Sequence, residues 1–371
     1  MQINQDLALF SDLAYKTTVV LYLLALAVSL FYYGLVRLAN DARRERARVL
    51  KNEATPQEAK RRQKVAVGAG ASGAATTDAA ADEVGDTGAA DVSGIATSSL
   101  DEENLPAGLR AETILQRVKR ADTFGGITQA LVWLAIAVHA AFLVLRGVSA
   151  NRFPWGNLFE YVAVVTLFAM VAAAVVINRR SMRVMWPWVL TPVTLLLFYG
   201  GTKLYAETAP VVPALQSNWF IIHVSTVSIG GGIGLLSGMA SLMYLLRRWH
   251  PKGQEKGFFG AIASPLPDAS KLDALAYRSA IWTLPIFGLG IIFGAIWADA
   301  AWGRFWGWDP KETVSFITWI LYAAYLHARA TPGWRGRKAA WINVIAFATM
   351  VFNLFFINMV VSGLHSYAGL N

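Results

Sequence analysis

Eight stretches of about 20 apolar residues constrain this chain more than any other feature: roughly 17–37, 124–145, 157–178, 184–205, 219–246, 277–298, 313–330 and 339–361. A helix rises 1.5 Å per residue, so about 20 residues cross a hydrocarbon core of roughly 30 Å. Lipid offers no water to backbone N–H and C=O groups, and runs of this length satisfy those groups only as helices. The expected fold is all-α: a polytopic membrane helix bundle of about eight transmembrane helices. A chain that is 55% hydrophobic and 15% charged is not a soluble domain of 371 residues.

Charge sets the expected topology. The flank before the first run, "MQINQDLALFSDLAYK", is slightly acidic, and the basic stretch "RLANDARRERARVLK" follows the run. That order predicts an uncleaved anchor with its N-terminus outside. Alternating from there, the segments expected inside carry 27 of the 33 Lys and Arg. Both termini, the 204–218 loop and the loop after the sixth run then lie outside. The net charge of +9 is topological, so it does not point to nucleic acid. With no cysteine, the protein has no disulfide and performs no thiol exchange of its own.

Three regions are expected. Residues 1–39 form an accessory N-terminal helix. Residues 40–120 form a cytoplasmic segment, basic at first, which either extends the first helix or lies on the inner leaflet. Within it, residues 65–100 are rich in Ala, Gly, Asp, Ser and Thr, and are expected to be a disordered linker. Residues 121–371 form a seven-helix core.

That core holds "WADAAWGRFWGWDPKET", with Trp297, Trp302, Trp306 and Trp308 in twelve positions of an outside loop spanning 297–312. An interfacial aromatic belt explains one or two of them. Four, interleaved with Ala301, Gly303 and Gly307, suggest flat slots for a large planar ligand. Asp309, Pro310 and Glu312 also read as a helix start of capping-box type. Arg304 suits either a carboxylate of such a ligand or the loop's own carbonyls, and Lys203 is a weaker candidate of the same kind.

Two of the five histidines share the expected outer face. His223 lies in "LQSNWFIIHVS" and His365 in "SGLHSY". Two neutral imidazoles facing across an aromatic slot suit the axial positions of haem iron. His139 sits at membrane depth in "ITQALVWLAIAVHAAFLVL", where an ionisable residue is costly. It reads either as a satisfied packing residue or as an intramembrane ligand, with Arg146 its one nearby charge in sequence. His250 and His327 read as surface residues. In "NRFPWGNLFEY", Asn157 is an expected helix cap, with Glu160 one turn in. Gly230, Gly234 and Gly238, and then Gly290 and Gly294, suit close helix packing or approach of a flat ligand.

These motifs resemble the haem-handling family that includes CcsA and ResC. "WADAAWGRFWGWDPKE" is similar to its tryptophan-rich WWD signature, and "VPALQSNWFIIHVS", "GLHSY" and "RFPWGNLFEY" follow its patterns in order. The resemblance covers about residue 120 to the end. It implies a component of the system II cytochrome c synthase in a bacterial plasma membrane, working with a ResB-like membrane subunit. It implies haem b as bound substrate, ligated outside by His223 and His365, with His139 as an intramembrane contact. It also implies presentation to the CxxCH motif of apocytochrome c for thioether formation. A thioredoxin-like reductant is a further implied partner. A transporter without attachment activity is the alternative, and a scaffold subunit a third reading.

Overall fold

The computed structural model describes residues 3–68, 102 and 104–365. The helices are α1 (Gln5–Gly68), α2 (Ala111–Ala150), α3 (Leu158–Ile177), α4 (Trp186–Lys203), α5 (Asn218–Trp249), α6 (Gly257–Ala263), α7 (Ala269–Trp302), α8 (Pro310–Ala330) and α9 (Arg337–Phe352). A π turn, Asn353–Ile357, continues α9. No strand occurs among the described residues, so the all-α expectation holds.

Seven described helices are long and apolar enough to cross a membrane: α1, α2, α3, α4 with the turn before it, α5, α7, and α9 with its π turn. The eighth expected run is helical, as α8, but falls short on hydropathy. The reason is one polar stripe. Lys311, Ser315, Thr318, Tyr322, Tyr325 and Arg329 recur at steps of four and three, which places them on one helix face.

Helix α1 continues without interruption to Gly68, so the basic stretch after the first apolar run extends that helix. Residues 69–101, which hold nearly all of the expected linker, lie outside the described residues. Two compact units emerge: residues 1–31 with 124–371, and residues 32–123. In the second unit, buried Arg46 donates to the carboxylate of Glu102 and, at 3.2 Å, to the carbonyl of Leu109. Glu102 also accepts the Ala111 N–H at 3.1 Å, at the start of α2.

The first unit is organised around α5 and α7. A Cβ on Gly230 would stand 2.8 Å from the Phe287 nitrogen, and one on Gly290 would stand 2.5 Å from Val227 Cγ1. The spaced glycines therefore let these backbones pack directly, since any side chain there would force them apart. Helix α3 packs on α5 from one side and the α8–α9 hairpin from another. Trp186, Trp297, Phe142 and Phe159 are the bulky side chains of the core.

Near the start of α3 lies a buried ionic cluster. Asn157 caps the helix by accepting the Glu160 N–H at 2.9 Å. The Glu160 carboxylate is fully buried and accepts from Arg146 at 2.9 Å, from Arg152 at 2.7 Å, and from the Gly156 N–H at 2.7 Å. Arg146 also donates to Asp12 and to the Ala206 carbonyl. Each buried charge has a partner, the condition under which such groups are tolerated.

Candidate functional site

Helix α7 runs further than expected and ends on Trp302. Gly303 closes it in the left-handed conformation (φ 70°), with its N–H on the Asp299 carbonyl at 2.8 Å. Trp297 and Trp302 are therefore helical, and the loop itself is only Gly303–Asp309. The four tryptophans pack as two pairs. Trp297 and Trp302 pack at 4.8 Å between ring centres, while Trp306 and Trp308 pair separately at 5.6 Å. Trp308 is 66% exposed and holds a positive φ of 58°, which a bulky residue rarely adopts.

Both outer histidines gather at the first pair. His223 stacks on Trp297 at 5.9 Å with the rings 12° from parallel. His365 meets Trp297 edge-on at 5.8 Å and Trp302 at 5.0 Å. A Cβ on Gly294 would stand 2.6 Å from His223 Cε1, so that glycine leaves the imidazole its space.

Each imidazole is held at Nδ1. In His223 this nitrogen lies 2.7 Å from the Gly290 carbonyl, and in His365 it lies 2.8 Å from Asp309 Oδ2. Both partners are acceptors, so both rings carry their proton on Nδ1 and keep the Nε2 lone pair. Burial holds His365 below the usual imidazole range despite its carboxylate partner, which favours this neutral form. Burial alone would raise the Asp309 carboxyl. Hydrogen bonds from His365 and from the Leu364 and Lys311 N–H groups outweigh it, and the carboxyl is lowered.

Asp309 is at the same time the N-cap of α8. It forms a capping box with Glu312, whose carboxylate accepts the Asp309 N–H at 3.1 Å and the Gly307 N–H at 2.9 Å.

His223 and His365 line one cavity together with Tyr161, Trp306, Lys311 and Asn358. A smaller adjoining space adds Trp155 and Trp297 to the wall and shares both histidines.

The expected cations are placed differently. The Arg304 guanidinium bonds to Glu312 at 3.2 Å and lies over the Trp302 ring. Lys203 lines a separate apolar groove of α4, α5 and α9. The cation in the cavity wall is Lys311, which sequence reasoning passed over as part of a helix start. Its ammonium donates to Asn358 Oδ1 and lies 5.7 Å from the Tyr161 ring. Burial depresses its pKa to about 8, only partly countered by Asp309. The spacing of Lys311 two residues after Asp309 was the available signal, since it turns the side chain off the cap and into the bundle.

His139 is fully buried and lines neither histidine cavity. Its Nδ1 lies 3.4 Å from the Tyr22 hydroxyl and its ring stacks on Phe142, while its Nε2 has no hydrogen-bond partner among the described residues. Arg146, its expected companion, is committed to Glu160. His327 is exposed and His250 half-buried.

The family model for the cytochrome c assembly protein matches residues 123–365. The chain is 30% identical over 274 residues to a cytochrome c biogenesis protein CcsA of Guillardia theta, covering 70% of this chain and 90% of that one. It is 34% identical over 235 residues to that of Chlamydomonas reinhardtii, covering 62% and 65% respectively. It is 31% identical over 274 residues to that of Synechococcus sp. (strain CC9902), covering 67% and 88%. The matched span contains His139, His223, His365, the tryptophan motif and every residue of the cavity that His223 and His365 share with Lys311. The chain belongs to the cytochrome c assembly family, as a multi-pass membrane protein of cytochrome c biogenesis of the CcsA type.

Proposed function

We propose that this cavity holds haem b as cargo on the extracytoplasmic side of a bacterial plasma membrane. His223 and His365 bind the iron through Nε2. The observation that carries the reading is the shared arrangement of the two imidazoles. They line one cavity, and each has Nδ1 committed to a protein acceptor, the arrangement that orients histidine toward a metal. Trp297, with Trp302 behind it, supplies the aromatic wall against which both rings rest, and Trp306 lines the cavity from the loop. Asp309 acts through His365, by fixing its tautomer. Lys311 takes the role expected of Arg304 or Lys203 and faces a haem carboxylate, where a point charge is sufficient.

Haem bound there presents its vinyl edge to the CxxCH motif of apocytochrome c. Each thioether forms when a client thiol's S–H adds across a vinyl C=C, so no atom is lost. The residues of this chain provide position and exclude water, and the gain is one of effective concentration. A ResB-like membrane subunit completes the synthase, and a thioredoxin-like protein keeps the client cysteines reduced. His139 is the candidate for a second, intramembrane haem contact, supported by its buried, unpartnered Nε2.

The test is the absorption spectrum of the chain purified with its membrane partner, for wild type, His223→Ala and His365→Ala. The expected result is a Soret band that weakens in each variant and returns with added imidazole. A band unchanged in the double variant would move haem away from these residues and end this reading.

A further inference from the structure

The polar stripe of α8 extends well beyond the haem cavity and has no part in ligating iron. From Lys311 to Arg329 it spans about 27 Å at 1.5 Å per residue, close to the thickness of a hydrocarbon core. Most steps meet polar groups on neighbouring helices. Lys311 donates to Asn358, and Ser315 accepts from Asn353 at 2.8 Å. Thr318 donates to Thr349 at 3.0 Å. The Tyr322 hydroxyl lies against Gly234, where a Cβ would stand 2.7 Å from it. On the same bundle interior, Asn343 donates to Ser237 and Ser241, at 2.9 and 2.8 Å. Tyr325 follows, and Arg329 ends the row on Asp273.

Several of these groups are left with unused hydrogen-bonding capacity. The hydroxyl of Tyr322 and the Oδ1 atoms of Asn343 and Asn353 have no partner among the described residues, and all three residues are more than nine-tenths buried. A packing motif would pair its members and stop there. Buried polar atoms in a row, on a helix that sacrifices its hydropathy to carry them, call for water. Chains of polar groups at membrane depth are how proteins move protons.

We propose that the inner face of α8, with its partners on α5, α7 and α9, is a hydrated proton path joining the Arg329–Asp273 pair at one membrane face to the Lys311 end of the cavity at the other. A proton taken up at one end releases one at the other. Each hydroxyl or water gains one proton as it gives up another, so nothing is oxidised and no group is left changed. The groups facing the Lys311 end are Asp309, His365 and Glu312, and Tyr277 joins Asp273 at the far end. The inference does not depend on what fills the cavity.

The test places the full chain in phosphatidylethanolamine–phosphatidylglycerol vesicles with a pH-sensitive dye inside, driven by a potassium–valinomycin potential. Wild type should acidify the lumen severalfold faster than protein-free vesicles. Tyr322→Phe combined with Asn343→Leu should return the rate to the protein-free level. Thr166→Val, whose hydroxyl already bonds its own helix, should leave the rate unchanged. Radiolytic hydroxyl labelling of the wild type needs no variant: Tyr322 and Tyr325 should label faster than the equally buried Tyr22. Flux equal to that of protein-free vesicles, flux indifferent to the stripe variants, or labelling no faster than at Tyr22 would each overturn the proposal.

Discussion

The Asp309 carboxylate accepts the Nδ1 proton of His365 at 2.8 Å on one oxygen and the N–H of Leu364 at 2.8 Å on the other. One side chain thus starts α8 and fixes a histidine 56 positions later. Gly363 leaves room for it, since a Cβ there would stand 2.7 Å from Asp309 Oδ1.

Asp309→Asn removes the ionised acceptor while keeping the shape. An amide presents N–H groups as readily as oxygen, so the His365 tautomer is no longer fixed. Loss of such an outer partner typically costs about 10–100-fold in metal affinity. Titration of the purified chain with haem, followed at the Soret band, should show a weakening of that order. Unchanged affinity would mean that Asp309 only caps the helix.

Lys311 makes stability depend on alkaline pH. Its pKa of about 8 in the folded protein lies below the ordinary lysine value of roughly 10.4. Below pH 8 both states carry the proton, and the folded state bears the whole cost of burying the charge. Between about 8 and 10.4 the folded state releases the proton first, so the unfolded state binds more protons and stability rises with pH. Lys311→Met should therefore raise the melting temperature at pH 7 and show a shrinking advantage up to pH 10. A pH-independent difference would contradict the buried charge.

Arg304→Ala should leave haem affinity unaltered, because its guanidinium is committed to Glu312 and is partly solvated. Pairs of this exposure contribute about 0–1 kcal/mol, so the melting temperature should hardly move. A large loss of affinity in the haem titration would return Arg304 to the ligand.

Glu160→Gln leaves Arg146 and Arg152 without their shared carboxylate in a buried site. Breaking one partner out of a buried pair costs about 3–5 kcal/mol. The expected outcome is a sharply lowered melting temperature in detergent, with haem content per folded molecule unchanged.

The helices were legible because lipid leaves hydrocarbon-length apolar runs only one backbone solution. The meeting of His223 with His365 followed from counting crossings, which put both on one face. What escaped reading depended on contacts between distant segments. Glu160 looked like a capping residue, and nothing local tells that two arginines converge on it. Arg304 stood among indoles, and nothing in that stretch shows that Glu312, eight residues on, pairs with it. Lys311 was hidden inside "WDPKE", where capping already explained its neighbours. The extent of α7 was misjudged because Gly303, not the aromatic run before it, terminates the helix. The stripe on α8 was present in the spacing, but a tally of apolar residues averages over helix faces.

The π turn at Asn353–Ile357 sets the phase of the last segment. A backbone of i→i+5 bonds accommodates one residue more than an α-helical path would. A regular α-helical path through the same residues would not absorb it. Everything after it would then rotate by about 100° and advance by about 1.5 Å. Asn358 would turn away from Lys311, and the approach of the chain to His365 would be re-aimed. The widened turn at this point, more than the identity of any side chain, is what keeps the C-terminal histidine in register with the cap of α8.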